Sequence, residues 1–129
     1  MAAMVVALLI IGCIQVKQPS MAYGIKPCGE AQRTSVNDEF RLEKTADGIN
    51  LLQRQNYVCC ANVTITMKTE DRTIGIYEEN VGEMCRCICP FEANITVTDT
   101  AGYERIEVYG IKFRDAQGYE LLFNSTLPS

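Results

Sequence analysis

Cys85-Arg86-Cys87-Ile88-Cys89-Pro90-Phe91-Glu92-Ala93-Asn94-Ile95-Thr96-Val97-Thr98 reads as one long β-strand. From Cys85 to Val97 every odd position is sulfur or apolar. Arg86, Glu92, Asn94, Thr96 and Thr98 stand among the even ones. A strand sends successive side chains to opposite faces. The register therefore predicts three sulfurs in a row on the core side, continued by an apolar ridge. Pro90 falls on the outer face, where its missing donor predicts an edge strand or a bulge.

The same alternation extends outward in both directions. Upstream, Cys59, Ala61, Val63, Ile65 and Met67 share one face, and Cys60, Asn62, Thr64, Thr66 and Lys68 the other. Cys59 is thus expected to face inward and Cys60 outward. Glu70-Asp71-Arg72 turns the chain into residues 73–78, with Ile74 and Ile76 inward, and residues 80–82 make the next turn. Earlier still, Phe40 and Leu42 alternate with Glu39, Arg41 and Glu43, and Asp47-Gly48 is a hairpin signal. Residues 49–57 are strand-like without a clear register. Downstream, strands over 104–113 and 119–123 are joined by Asp115-Ala116-Gln117-Gly118. Gly110 shifts the parity between Ile106/Val108 and Ile111/Phe113, which predicts a bulge. No window carries a helical period. About seven short strands at this spacing predict a small, all-β, antiparallel sandwich, immunoglobulin-like or similar. Ala101-Gly102-Tyr103 resembles the tyrosine corner of such sandwiches, although the chain has no tryptophan.

Length allows one domain. A formal charge of −4 with no basic stripe points away from nucleic acid. The first 16 residues carry no charged side chain, and Met4-Val5-Val6-Ala7-Leu8-Leu9-Ile10-Ile11-Gly12 is an apolar run. It is shorter than the ~20 residues of a spanning helix and matches the apolar region of a signal peptide. Ile10-Ile11-Gly12-Cys13 resembles a lipobox, the lipoprotein signal whose cysteine is acylated. The implied organisation is a signal peptide over 1–12, a lipidated tether over 13–34 beginning at Cys13, and a β-sandwich over 35–129. Membrane attachment would then run through the lipid, and the location would be extracytoplasmic. Parity supports this organisation. Of seven cysteines, lipidation of Cys13 leaves an even set: Cys28, Cys59, Cys60, Cys85, Cys87 and Cys89.

Those six sulfurs admit two chemistries. As a disulfide framework they would reinforce a small core in an oxidising compartment, each bridge contributing about 2–4 kcal/mol. Strands two apart in one flat sheet lie ~9–10 Å apart, beyond the ~7 Å Cα limit of a disulfide. Bridging between residues 59–60 and 85–89 thus requires adjacent strands, or strands converging from facing sheets where a sandwich closes. As a thiolate nest, Cys85, Cys87 and Cys89 with Cys59 or Cys60 would suit Zn²⁺ or Cu⁺. A redox dithiol has little support, because no Cys-x-x-Cys opens a helix.

No other cofactor is expected. The chain has no histidine, so it lacks every His-based catalytic dyad or triad, and the expectation is a protein that is not an enzyme. Glu78, Glu79 and Glu83 flank the turn before the cysteine triplet and read as a solvated acidic hairpin, with Ca²⁺ coordination the alternative. Asn62-Val63-Thr64, Asn94-Ile95-Thr96 and Asn124-Ser125-Thr126 match the glycosylation sequon at Asn62, Asn94 and Asn124.

Taken together, Cys59-Cys60, Tyr77-Glu78-Glu79, Cys85-x-Cys87-x-Cys89-Pro90-Phe91-Glu92 and Gly102-x-x-x-Ile106 resemble a group of small cell-envelope lipoproteins. That group pairs a vicinal cysteine motif with a later Cys-x-Cys-x-Cys. The resemblance spans roughly residues 56 to 109 and implies fold and location without an activity. The expected role is a lipid-anchored binding or structural module of the envelope, with an unidentified protein or envelope partner; a Cys-cluster metal-binding protein is the alternative.

Overall fold

The computed structural model describes residues 17–26, 36–83, 85–112 and 117–129. Cys13, Cys28, Phe113 and the apolar run over 4–12 lie outside the described residues. Eight strands follow one another: β1 (Ser20–Lys26), β2 (Glu39–Lys44), β3 (Gly48–Val58), β4 (Val63–Glu70), β5 (Thr73–Asn80), β6 (Ile88–Thr98), β7 (Arg105–Ile111) and β8 (Glu120–Thr126). They form two sheets, in the orders β1-β6-β3-β2 and β4-β5-β7-β8. The inner faces of the two sheets meet in one core, so the all-β sandwich expected from the sequence is the architecture found.

The central pair is β3 with β6, antiparallel and in register from Gly48↔Thr98 to Val58↔Ile88. Phe91, Ala93, Ile95 and Val97 of β6 face Gln55, Gln53, Leu51 and Ile49 of β3. The second sheet supplies Val63, Ile65, Ile74, Ile76, Ile106 and Val108 to the same core. This β-branched content suits a pleated surface buried on one side. At the open flank, Phe40 of β2 stacks on Phe123 of β8, their centroids 4.9 Å apart. That contact fastens the outer strands of the facing sheets to each other.

Several sequence expectations need correction. Residues 20–26, expected as tether, form β1 and pair with β6 from Ser20↔Thr98 to Lys26↔Glu92. There are consequently eight strands, and β6 is an interior strand. Pro90 is buried and sits beyond the Glu92 pair with β1, so its missing amide breaks no described ladder bond on that side. The sandwich is not wholly antiparallel, because β5 and β7 run parallel. The bulge lies on the neighbouring strand. Val108 pairs with Phe123 but Tyr109 pairs with Leu121, leaving Leu122 of β8 as the extra residue. Gly110 makes room for it, since a Cβ there would come within 2.6 Å of Leu122 Cδ1. Tyr103 packs its ring on the core without a tyrosine-corner hydroxyl bond among the described residues.

Asp47-Gly48 does close the β2–β3 hairpin, but the glycine is required for space. A Cβ on Gly48 would lie 1.8 Å from the carbonyl oxygen of Val97, a backbone atom that cannot turn aside. At Gly24 on β1 the same atom meets nothing within 4 Å. Gly48→Ala is expected to destabilise the fold by about 3 kcal/mol or more, and Gly24→Ala to leave it within about 0.5 kcal/mol. Urea denaturation of the two variants beside the wild type measures both.

Candidate functional site

The chemistry-bearing residues gather at one end of the sandwich, where the chain crosses twice between sheets. β3 leaves the first sheet through the Cys59-Cys60 turn and enters β4 of the second. β5 returns through residues 81–87 to β6 of the first. The second alternative of the sequence argument therefore holds: the sulfurs meet where facing sheets converge. Cys59 is bonded to Cys87 with Cα atoms 5.2 Å apart, and Cys60 to Cys85 with Cα atoms 6.2 Å apart. Both separations fit an ordinary disulfide.

Backbone contacts lace the same two crossings. Cys59 N–H donates to the Cys87 carbonyl at 2.8 Å, and Val81 N–H to that of Asn62 at 2.8 Å. Cys60 N–H points at Cys85 Sγ, 3.1 Å away. The buried Asn80 side chain organises the junction. Its Oδ1 accepts from Asn62 N–H (3.1 Å) and Gly82 N–H (2.9 Å), and its amide donates to the Lys112 carbonyl (3.3 Å). Gly82 is pressed against the first crossing, where a Cβ would lie 2.6 Å from Cys60 O and from Asn62 N.

The predicted division of the cysteines into inward and outward sets is not observed. Cys59, Cys60, Cys85 and Cys87 are all half-buried, because residues 59–60 and 85–87 belong to the crossings, where the period of two lapses. Only Cys89, inside β6, keeps the core-facing position; it too is oxidised. With the four crossing sulfurs bonded in pairs, none is the thiolate that Zn²⁺ or Cu⁺ would need. Among the described residues no group of three or more Cys, Asp or Glu is placed to hold a metal. Glu79 and Glu83 are exposed as expected. Asn62, Asn94 and Asn124 are exposed, and Asn94 Oδ1 accepts from Asn50 Nδ2 at 2.7 Å.

Glu78 departs from the sequence expectation entirely. It is 0 % exposed, neither a solvated hairpin residue nor one available to Ca²⁺ from the surface. From β5 it reaches across the core to β3, where Gln53 (3 %), Gln55 (0 %) and Tyr57 (4 %) occupy inward positions. Gln53 Nε2 donates to Glu78 Oε1. Gln55 Nε2 donates to Oε2 at 2.8 Å and the Tyr57 hydroxyl to the same oxygen at 3.2 Å. Lys112 stands outside this cluster, its ammonium 5.7 Å from the centre of the Tyr57 ring and 3.9 Å from Asp38. Burial raises the Glu78 carboxyl above the ordinary range, opposed by its donors and by Lys112. Burial, reinforced by Glu78, likewise pushes the Tyr57 phenol upward. Gln53 Oε1 and Gln55 Oε1 are buried without a partner, a cost of about 1–3 kcal/mol each. Extending the inward parity of Ile74 and Ile76 by one step would have placed Glu78 inside. The alternation Ile49-Leu51-Gln53-Gln55-Tyr57 would have done the same for its donors.

The outer face of the second sheet carries an aromatic row. Tyr77 stacks on Tyr109 at 5.3 Å, takes Tyr119 edge-on at 5.1 Å, and has the Lys68 ammonium 5.4 Å from its centre. Tyr109 donates to Glu107 at 2.5 Å, a bond that raises the phenol's pKa. No family model, curated protein or solved structure matches this chain.

The two bridges are not additive. Cys59–Cys87 spans 28 residues of sequence and Cys60–Cys85 spans 25. Closing either loop removes about 3–4 kcal/mol of unfolded-chain entropy. Because Cys59 and Cys60 are neighbours, the second bridge then closes only a few further residues. Cys60→Ser with Cys85→Ser is expected to cost about 2 kcal/mol, and replacement of all four cysteines about 5–6 kcal/mol. Thermal denaturation of the two variants distinguishes this from equal contributions.

Proposed function

We propose that this chain is an extracytoplasmic, lipid-anchored β-sandwich that acts as a binding or structural module of the cell envelope, not as an enzyme. The observation that carries the reading is the pair of disulfides joining the two crossings, since such bonds persist in oxidising compartments. The lipobox resemblance of Ile10-Ile11-Gly12-Cys13 supports the anchor, as does the even cysteine set that acylation leaves.

An acylated Cys13 would set an orientation for the anchored state. Lys17 is ion-paired with Asp99 at 3.6 Å, and Pro19 is buried beside the start of β1. From an acylated Cys13 the chain reaches Lys17 in at most about 14 Å. The Ser20/Thr98 end would therefore rest close to the bilayer. The disulfide end lies at the opposite end of β6, about 33 Å away along the strand, and is the end such an anchor would leave open to a partner.

The test is the intact mass of the exported full-length chain, recorded without reductant. The expected product begins at Cys13, carries acyl mass there, and is six hydrogens short of the reduced polypeptide. Peptide mapping is expected to return Cys28 joined to Cys89 beside the two bridges already described. A product without acyl mass on Cys13 would remove the anchor from this reading. Retention of all six hydrogens with bound zinc or copper would replace the disulfide framework by the metal-binding alternative.

A further inference from the structure

Glu78 is the only acidic side chain enclosed in the core among the described residues. Among the described residues the groups facing it can be named. Across the core stand Gln53, Gln55 and Tyr57 of β3. Beside it in its own sheet are Ile65 of β4 and Gly110 of β7, which bring no charge. Lys112 lies behind Tyr57 and is engaged by Asp38 nearer the surface. Among the described residues no cation is in direct contact with the carboxylate.

Hydrogen bookkeeping shows what this enclosure favours. An ionised carboxylate only accepts, so both glutamines must turn their amide nitrogens toward it, which leaves Gln53 Oε1 and Gln55 Oε1 stranded. A proton on Glu78 makes one of its oxygens a donor. One amide can then rotate by half a turn and offer its carbonyl, since the O and N ends of a glutamine are equivalent in shape. The charge disappears, while the turned amide exchanges a stranded oxygen for a stranded NH2, so the hydrogen-bond count stays level and loss of the charge decides. Loss of the charge favours the neutral acid at a residue with no exposed surface.

We propose that Glu78 is a proton-operated latch between the two sheets: neutral, it closes the disulfide end, and on releasing its proton to solvent it loosens that end. The location sets the consequence. Tyr57 is two residues from Cys59, and Glu78 two from Asn80, the residue that organises the second crossing. An ionised Glu78 reaches water or Lys112 by parting β3 from β5 at this end. The bridges Cys59–Cys87 and Cys60–Cys85 keep the crossings together, so the opening is local and reversible.

The sign follows from linkage. A folded-state carboxyl raised above its unfolded value contributes stability that is complete below the ordinary carboxylate range. That stability is lost as pH rises through the raised folded value. Tyr57, raised still further, stays neutral throughout. The experiment compares wild type with Glu78→Gln, whose amide can both donate and accept. Across about pH 4 to 8, the wild-type Tm is expected to fall relative to the variant, which should melt higher by about 5 °C at the upper end. Amide exchange, corrected for intrinsic rates, should accelerate with pH over 55–59 and 78–82 in the wild type but not in the variant. A wild-type Tm that holds level with, or rises relative to, Glu78→Gln would overturn the proposal. A second measurement needs no variant: the infrared carbonyl stretch of a protonated carboxyl should persist in the wild type to a pH above the ordinary carboxylate range of about 4–5, and its loss within that range would equally rule the latch out.

Discussion

Everything at the functional end of this molecule depends on two chain crossings sharing one edge of the core. A sandwich needs its sheets about 10 Å apart, and a strand leaving one sheet for the other must abandon its ladder to cover that distance. Here the crossing from β3 to β4 and the crossing from β5 to β6 do so side by side. Their backbones exchange hydrogen bonds, and disulfides join Cys59 to Cys87 and Cys60 to Cys85. Two adjacent bonds fix the relative rotation of the crossings as well as their separation. A single bond would act more as a hinge.

Directly beneath this covalent seam the core changes character. Toward the other end it is Ile49, Leu51, Ile95, Val97, Ile74 and Ile106, with no polar atom on any side chain. Toward the disulfides Gln53, Gln55, Glu78 and Asn80 join Tyr57, Val63, Ile65 and Phe91 in the interior. Such a cluster is a poor source of stability, since an apolar filling of similar volume is often neutral or better. The sheets at this end are held covalently instead, and the polar groups are free to respond to protons. The balance shifts along the strand axis: dispersion and burial alone at one end, and at the other the same burial with sulfur and hydrogen bonds added.

Much of the fold was legible in the chain, and its failures have physical causes. The run from Cys89 to Val97 alternates as read, because a half-buried strand enforces a period of two. Cys85 and Cys87 continue the same alternation on paper, yet they lie in a crossing, and periodicity alone cannot mark where a strand stops. β1 escaped notice because Ala22 and Gly24 dilute its pattern and its register is imposed by the edge of β6. Leu122, not Gly110, carries the bulge, since a glycine records the space a neighbour needs as readily as a change in its own strand. Cys59, Cys60, Cys85 and Cys87 do meet at one end of the sandwich. For Glu78, Gln53 and Gln55 two signals conflict, polarity pointing to solvent and parity to the core, and the core position is the one they occupy.

The bridges also decide how the chain carries force. Tension entering at β1 and leaving through β8 must pass the segment between Cys59 and Cys87, and the sulfur–sulfur bond offers it a shorter path. The β4–β5 hairpin, enclosed by a separation of 28 residues, is then shielded from load. About 90–100 Å of contour length would stay hidden even in a fully stretched molecule. A protein fastened to a surface at one end would keep this hairpin folded back on itself while the rest of the chain was drawn out, and only a reductant would release the slack.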